Sequence, residues 1–245
     1  MTTLRMTPDE PLAVAVTAAI HAGNTAGLRE LLAENAGLAS ARIVDAKACE
    51  RSLLHIATDW PGHFPRVAET IAALVEHGAD LNARIANPHA GPHTETPLHW
   101  AASSGDAAAL DALLGHGADI EAAGAVIAGG TPMADAVAFA QWNAARRLLE
   151  RGARTNLWQS AALGLLDRVE REFVNGAPAR DEITGAFWCA CHGGQRETAE
   201  FLLARGADLN WIGWDKLTPL DAAERAGAAD VSGWLRENGA VMARQ

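Results

Sequence analysis

The stretch HTETPLHWAASSGD, residues 93–106, places two histidines and two acids close together, as a metal site or an acid/base site would. The same letters also describe the start of a helix. Thr96 is a good N-cap, because its hydroxyl can accept a backbone N–H, and Pro97 suits the first helical position. His99 lies three residues after the cap, where a side chain can reach back, and Gly105 ends a helix of about two turns. We therefore predict a structural role for His99.

This pattern recurs along the chain. Thr-Pro followed by an apolar residue occurs at residues 96–99, 131–134 and 218–221, with a degenerate Ser-Leu-Leu-His at 52–55. Gly-Ala follows an apolar helix end six times, at residues 78, 117, 152, 176, 206 and 239. A period near 33 residues that combines Thr-Pro-Leu-His, two short helices and Gly-Ala is typical of ankyrin repeats. With segments such as LVEHGADLNAR, FLLARGADLN and TPLDAAERAG, the chain resembles ankyrin-repeat proteins over almost its whole length.

The resemblance implies an all-α solenoid of stacked helix-turn-helix units joined by β-turn fingers. The 245 residues accommodate about seven such units in a single domain over residues 1–245. The predicted repeats are residues 11–42, 50–84, 94–120, 129–156, 157–178, 182–210 and 215–240. The first lacks Thr-Pro and is interpreted as an N-terminal cap. The second is interrupted by DWPGHFP, residues 59–65, whose prolines should end its first helix early.

Charge and composition narrow the possible functions. A formal net charge of −10 and a pI near 5.3 argue against binding to nucleic acid or to anionic membranes. The N-terminus lacks the pattern of a secretory signal, and no apolar run is long enough to span a membrane. Three cysteines are compatible with reduced thiols. We expect a monomeric, cytoplasmic, bacterial-type ankyrin-repeat protein without a cofactor.

The resemblance also implies a concave groove, formed by the first helix of each repeat and the fingers before it. Aligning the repeats on His99 and taking positions that share a helix face predicts one wall of this groove. Its aromatic members are Trp60, Trp100, Phe139 and Trp188, and its polar members are Asp59, Ser104, Asp135, Gln159 and His192. The alternative is that each tryptophan only fills space between repeats.

Asp135 stands where an aliphatic residue is usual, and burying an unpartnered carboxylate is costly. It either pairs with a neighbour such as Gln159 or lies in a pocket with a raised pKa. Two functions stay open. The first is a non-catalytic module that binds a protein or peptide through the groove and through Trp214 and Asp215 on a finger. The second is a small-molecule site, or a metal-independent lyase, hydratase or isomerase in which Asp59 or Asp135 and His192 transfer protons.

Two further motifs are weak candidates for metal sites. His89 and His93 have the i, i+4 spacing of a zinc pair, but the intervening Gly91 and Pro92 disfavour a helix there. Cys189-Ala-Cys-His192 lacks a second pair of cysteines to complete a tetrahedral site. We expect a solvated finger in the first case, free thiols in the second, and no metal.

Overall fold

The computed structural model describes residues 3–88, 94–174 and 176–243. Fourteen α-helices in these residues form seven consecutive pairs. The pairs are α1 (Pro11–His21) and α2 (Thr25–Glu34), α3 (Leu53–Thr58) and α4 (Val67–Glu76), α5 (Pro97–Ser104) and α6 (Ala107–Gly115), α7 (Pro132–Ala138) and α8 (Trp142–Glu150), α9 (Leu157–Ala162) and α10 (Leu166–Glu172), α11 (Arg180–His192) and α12 (Arg196–Leu203), and α13 (Pro219–Arg225) and α14 (Ala229–Glu237). This is the helical solenoid that the sequence predicts.

The helix starts follow the predicted capping chemistry. The backbone N–H of Thr96 donates to Nδ1 of His99 at 3.1 Å, and the Thr96 hydroxyl lies 2.9 Å from the same nitrogen. Nε2 of His99 lies 3.3 Å from the carbonyl oxygen of Gly130 on the next finger. His55 bonds to Ser52 and to the carbonyl of Glu95 in the same way. The structural role predicted for His99 is confirmed, and it extends to joining neighbouring repeats.

The chain divides into two compact units, Met1–Ala153 and Arg154–Gln245. In unit 1 the first helices α1, α3, α5 and α7 pack in one row, and the second helices α2, α4, α6 and α8 pack in another. Between the rows lie buried alanines and leucines such as Leu98, Ala101 and Leu110. In unit 2, α11 packs against both α9 and α13, and the fully buried Phe187 belongs to the core of this unit.

A short sheet forms the first finger. β1 (Arg5–Met6) pairs in parallel with β2 (Arg42–Val44), with Met6 opposite Ile43, and β2 pairs antiparallel with β3 (Glu50–Ser52). The hairpin β2–β3 is the finger that the fold requires. β1 was not predicted, and its pairing extends the first finger by one strand.

The insertion at residues 59–65 is fixed to the following repeat. The backbone N–H of His63 donates to Oδ2 of Asp106 at 2.6 Å, and the other oxygen of this carboxylate caps the N-terminus of α6. Gly62 has a φ of +72°, and a Cβ on it would lie 2.9 Å from Oγ of Ser104. Only glycine combines this conformation with this close approach at little cost. The insertion therefore has a defined position beside α5.

Candidate functional site

A surface cavity of about 260 Å³ in unit 1 brings together five of the predicted groove residues. These five are Asp59 and Trp60 from the insertion, Trp100 and Ser104 from α5, and Phe139 after α7. Thr58, Glu95, Ser103 and Val126 complete the lining. Glu95 and Val126 lie on fingers, and the alignment of first helices did not assign them to the groove wall.

The rim of the cavity is apolar and open to solvent. The side chains of Trp60, Phe139 and Val126 are 82%, 48% and 43% exposed. Trp100 is half-buried and held on two sides: its indole N–H donates to Oε2 of Glu95 at 3.2 Å, and the ring of His55 packs edge-on against it with centroids 4.9 Å apart. The cavity thus has one fixed aromatic wall and a more exposed apolar rim.

Two carboxyls adjoin each other at this wall. Glu95 is buried and lines the cavity, whereas Asp135 is fully buried, does not line it, and interacts with the Glu95 side chain. No hydrogen-bond donor among the residues that the structure describes reaches either Asp135 oxygen with good geometry. Burial, followed by the charge and the carboxyl contact of Glu95, raises the pKa of Asp135 to about 8, although the Ile127 amide favours the anion. At neutral pH, Asp135 therefore retains its proton.

Asp59 is engaged in two contacts. Its carboxylate forms an ion pair with Arg51 at 2.8 Å and accepts the backbone N–H of Trp60 at 2.9 Å. These contacts fix the start of the insertion and orient the backbone that carries Trp60. In this position Asp59 supports the rim of the cavity.

The other predicted groove residues belong to unit 2. Gln159 is buried and its side-chain oxygen accepts the N–H of Asn156, which caps α9. Trp188 is also buried, and its indole N–H donates to the carbonyl of Leu217 at 2.9 Å. The ring of His192 lies 5.3 Å from that of Trp188. All three side chains are engaged in the packing of unit 2.

The two finger residues of unit 2 are exposed. The half-exposed ring of Trp214 packs edge-on against Trp188 and Trp211, with centroids 5.1 and 5.3 Å apart. Asp215 forms an ion pair with Arg225 at 2.6 Å. This cluster presents a second aromatic surface, which is more internally packed than the rim of the unit 1 cavity.

The weak metal motifs gain no support. Within residues 3–88, 94–174 and 176–243, no group of three His, Cys, Asp or Glu side chains is placed to hold a metal ion. His89 and His93 lie outside the described residues. Cys189 and Cys191 are buried free thiols, and burial raises the pKa of both. In the described part of the chain, no helix is long and apolar enough to cross a membrane.

Comparisons with known proteins identify repeats in both units. Family models described as ankyrin repeat match residues 93–122 and residues 186–213. Rabankyrin-5 is 29% identical in Mus musculus and 30% identical in Homo sapiens over 177 residues, which are 71% of this chain. The match spans only 12% of those relatives. A crystal structure of the human ASB11 ankyrin repeat domain aligns with a TM-score of 0.49 and 22% identity, covering 90% of this chain and 96% of that one.

Proposed function

Because the chain is an ankyrin-repeat protein, and such repeats generally mediate protein–protein interaction, we propose that it binds a protein or peptide partner through unit 1. The binding surface is the apolar rim formed by Trp60, Val126 and Phe139 together with the cavity that they border, here called the Trp60 surface. The observation that carries this proposal is the 82% exposure of Trp60.

A largely exposed tryptophan next to two other exposed apolar side chains favours an interaction site. Single exposed apolar residues are common, but a contiguous apolar patch around a concavity is typical of surfaces that bind other molecules. Tryptophan is also a frequent anchor in protein interfaces, since it buries a large area and loses little conformational entropy. The Trp60 surface therefore has the composition of a recognition site.

The fixed position of the insertion strengthens this argument. The His63 N–H to Asp106 bond and the close approach of Gly62 to Ser104 hold residues 59–65 against α5. The ion pair of Asp59 with Arg51 holds the preceding backbone. A preorganised loop loses less entropy on binding than a mobile one, so more of the contact energy contributes to affinity.

Affinity capture with the full chain as bait tests the proposal. Trp60→Ala should reduce the recovery of specific partners at least about tenfold, as expected for an interface anchor. Val14→Ala, which removes an exposed apolar side chain from α1, is the matched surface control and should capture like the wild type. Trp214→Ala, on the finger of unit 2, shows whether that unit contributes to capture. Partners retained by Trp60→Ala but lost by Trp214→Ala would contradict the assignment to unit 1.

We also propose that the module acts as a monomer in the cytoplasm of a bacterium, and that it binds neither nucleic acid nor membranes. The net charge of −10 supports the last two points, and the free cysteines are compatible with a reducing compartment. Light scattering of the purified chain tests the oligomeric state. A dimer at micromolar concentration would contradict it.

A second candidate function is the binding of a small molecule, with acid/base chemistry at the same cavity. The raised pKa of Asp135 beside Glu95 favours it, because a carboxyl that is protonated at neutral pH can donate a proton. At about 260 Å³, however, the cavity is below the usual range for ligand pockets, and Asp135 is shielded from it. A metabolite that raises the melting temperature and is turned over by the wild type but not by Glu95→Gln would favour this function.

A further inference from the structure

A second surface cavity, of about 420 Å³, lies within unit 2. Two tryptophans, Trp158 and Trp214, and three acids, Glu172, Asp181 and Glu182, are among the residues that line it. We propose that this cavity, here called the Trp158 cavity, binds a lysine or arginine side chain in a basic segment of the protein partner. The inference rests on the proposed function for the existence of that partner, and it adds a second contact outside the Trp60 surface.

The acidic side of the cavity carries negative charge that its contacts do not neutralise. Glu172, Asp181 and Glu182 are exposed, and in the part of the chain that the structure describes no basic side chain forms an ion pair with any of them. The Glu182 carboxylate accepts the backbone N–H of Ala179 at 2.9 Å, which fixes it at the start of α11. Three carboxylates at one cavity attract a cation and repel an anion.

Helix stability accounts for two of these acids but not for the third. Asp181 and Glu182 lie in the first turn of α11, where a negative charge complements the helix dipole. Glu172 is the last residue of α10, the end at which the dipole disfavours an acid. The carboxylate of Glu172 is therefore better explained by the cavity that it lines than by the helix that carries it.

The aromatic side of the cavity suits a cationic side chain with an apolar stem. Trp158 is partly buried against the core of unit 2, and Trp214 is 50% exposed. An ammonium or guanidinium group near the face of a tryptophan is attracted by the ring quadrupole. The aliphatic stems of lysine and arginine are apolar and can pack along the same rings. The cavity thus combines apolar contact for the stem with carboxylates for the charged end.

The finger that carries Trp214 is held in place. The backbone N–H of Gly213 donates to the carbonyl of Leu217 at 2.9 Å, and the N–H of Leu217 donates to the carbonyl of Trp214 at 3.0 Å. The Trp214 ring packs edge-on against Trp188, and a Cβ on Gly185 of α11 would lie only 3.3 Å from its Cη2 atom. A wall that is ordered before binding loses little entropy when a ligand arrives.

Size and setting favour a side chain that belongs to a peptide. A volume of about 420 Å³ is at the lower end of the usual range for ligand pockets and can accommodate one lysine or arginine side chain. Ile212, which is 60% exposed two residues before Trp214, adds apolar surface for the residues that flank such an anchor. The net charge of −10 also favours the approach of a basic segment.

A random peptide library displayed on phage and selected on the full chain tests the proposal. Peptides that also bind Trp214→Ala are discarded. The remaining peptides are synthesised with their basic residues intact, with lysine replaced by norleucine, or with arginine replaced by citrulline. Fluorescence polarisation then measures the affinity of each peptide for the wild type and for the variants.

The decisive variant combines Glu172→Gln with Asp181→Asn. Both side chains are exposed and both replacements keep the shape, so the variant tests charge even if Trp214→Ala disturbs the packing against Trp188. Glu237→Gln is the matched control, because Glu237 is likewise an exposed acid at the last position of a helix, α14.

We expect one lysine or arginine at a fixed position of these peptides. Its neutral replacement should weaken wild-type binding about tenfold, as for a cation–π contact combined with exposed ion pairs. On the double variant the same replacement should cost only about threefold, because the cation–π contact remains. Glu237→Gln should behave as the wild type. Wild-type affinity for the basic peptides should also fall as the ionic strength rises from about 0.05 to 0.5 M.

The outcomes separate this inference from the proposed function. Peptides that depend on Trp214 but contain no basic residue, or whose basic residue contributes equally on the wild type and on the double variant, would overturn the cationic site. The absence of any peptide that depends on Trp214 would overturn it as well. The proposed function is judged separately, by whether the capture of partners depends on Trp60, and it fails if that dependence is missing.

Discussion

Replacing Asp135 with asparagine should stabilise the protein at alkaline pH. The pKa of this carboxyl is about 8 in the folded protein and 3.8 when it is unperturbed. Over the interval between these values the folded state binds a proton that the unfolded state has released. The contribution of this group to stability is thus complete below about pH 4 and decreases as the pH rises towards 8. Asparagine is close in shape, carries no charge, and can donate an amide N–H to Glu95.

The magnitude of this stability difference follows from the number of protons that the folded state binds in excess of the unfolded state. A difference of one bound proton changes the free energy of unfolding by about 1.4 kcal/mol per pH unit. Between pH 6.5 and 8 the wild type should therefore lose up to about 2 kcal/mol through Asp135 alone. The asparagine variant should lose none of this. The stability difference between the two proteins should accordingly grow by about 2 kcal/mol over this interval and level off above pH 8.

Urea unfolding at constant ionic strength, followed by far-UV circular dichroism and tryptophan fluorescence, measures this difference at each pH. Subtracting the wild type from the variant cancels the titration of groups that do not adjoin Asp135, including His55 and His99. A difference that stays flat between pH 6.5 and 8 would show that Asp135 does not bind the extra proton. A difference that shrinks would mean that the variant loses more stability than the wild type over this interval, which also contradicts the raised pKa of Asp135.

The same unfolding measurement checks three further expectations. His99→Ala should destabilise the protein by about 2–4 kcal/mol, because the Thr96 N–H and the Gly130 carbonyl lose their partner. His116→Ala, at the exposed end of α6, should cost less than about 0.5 kcal/mol. Equal effects of the two substitutions would contradict the capping role of His99. Trp60→Ala should change stability by less than about 0.5 kcal/mol, because its side chain is 82% exposed, and a larger loss would mean that it packs in the core. Gly62→Ala should cost about 1–3 kcal/mol through its positive φ and the contact with Ser104, and a neutral effect would mean that the insertion is not pinned there.

The helical repeats could be predicted because their information is local. A Thr-Pro cap, the histidine three residues later and the closing glycine lie within ten consecutive positions, so the chemistry of one turn predicts each helix start. The structure confirms the starts after Thr96, Thr131 and Thr218. β1 could not be found in this way, because Met6 pairs with Ile43 and only the folded chain brings the two together.

The candidate site was predicted in part, for a related reason. Aligning the repeats on His99 predicted that Trp60, Trp100 and Phe139 lie on a common wall, and in the structure all three line one cavity. The alignment could not show that the side chain of Gln159 turns back to accept the N–H of Asn156 at the start of its own helix. Nor could the alignment place Glu95 on this wall, because Glu95 directly precedes an N-cap and meets Asp135, 40 positions further along the chain, only after the repeats have stacked.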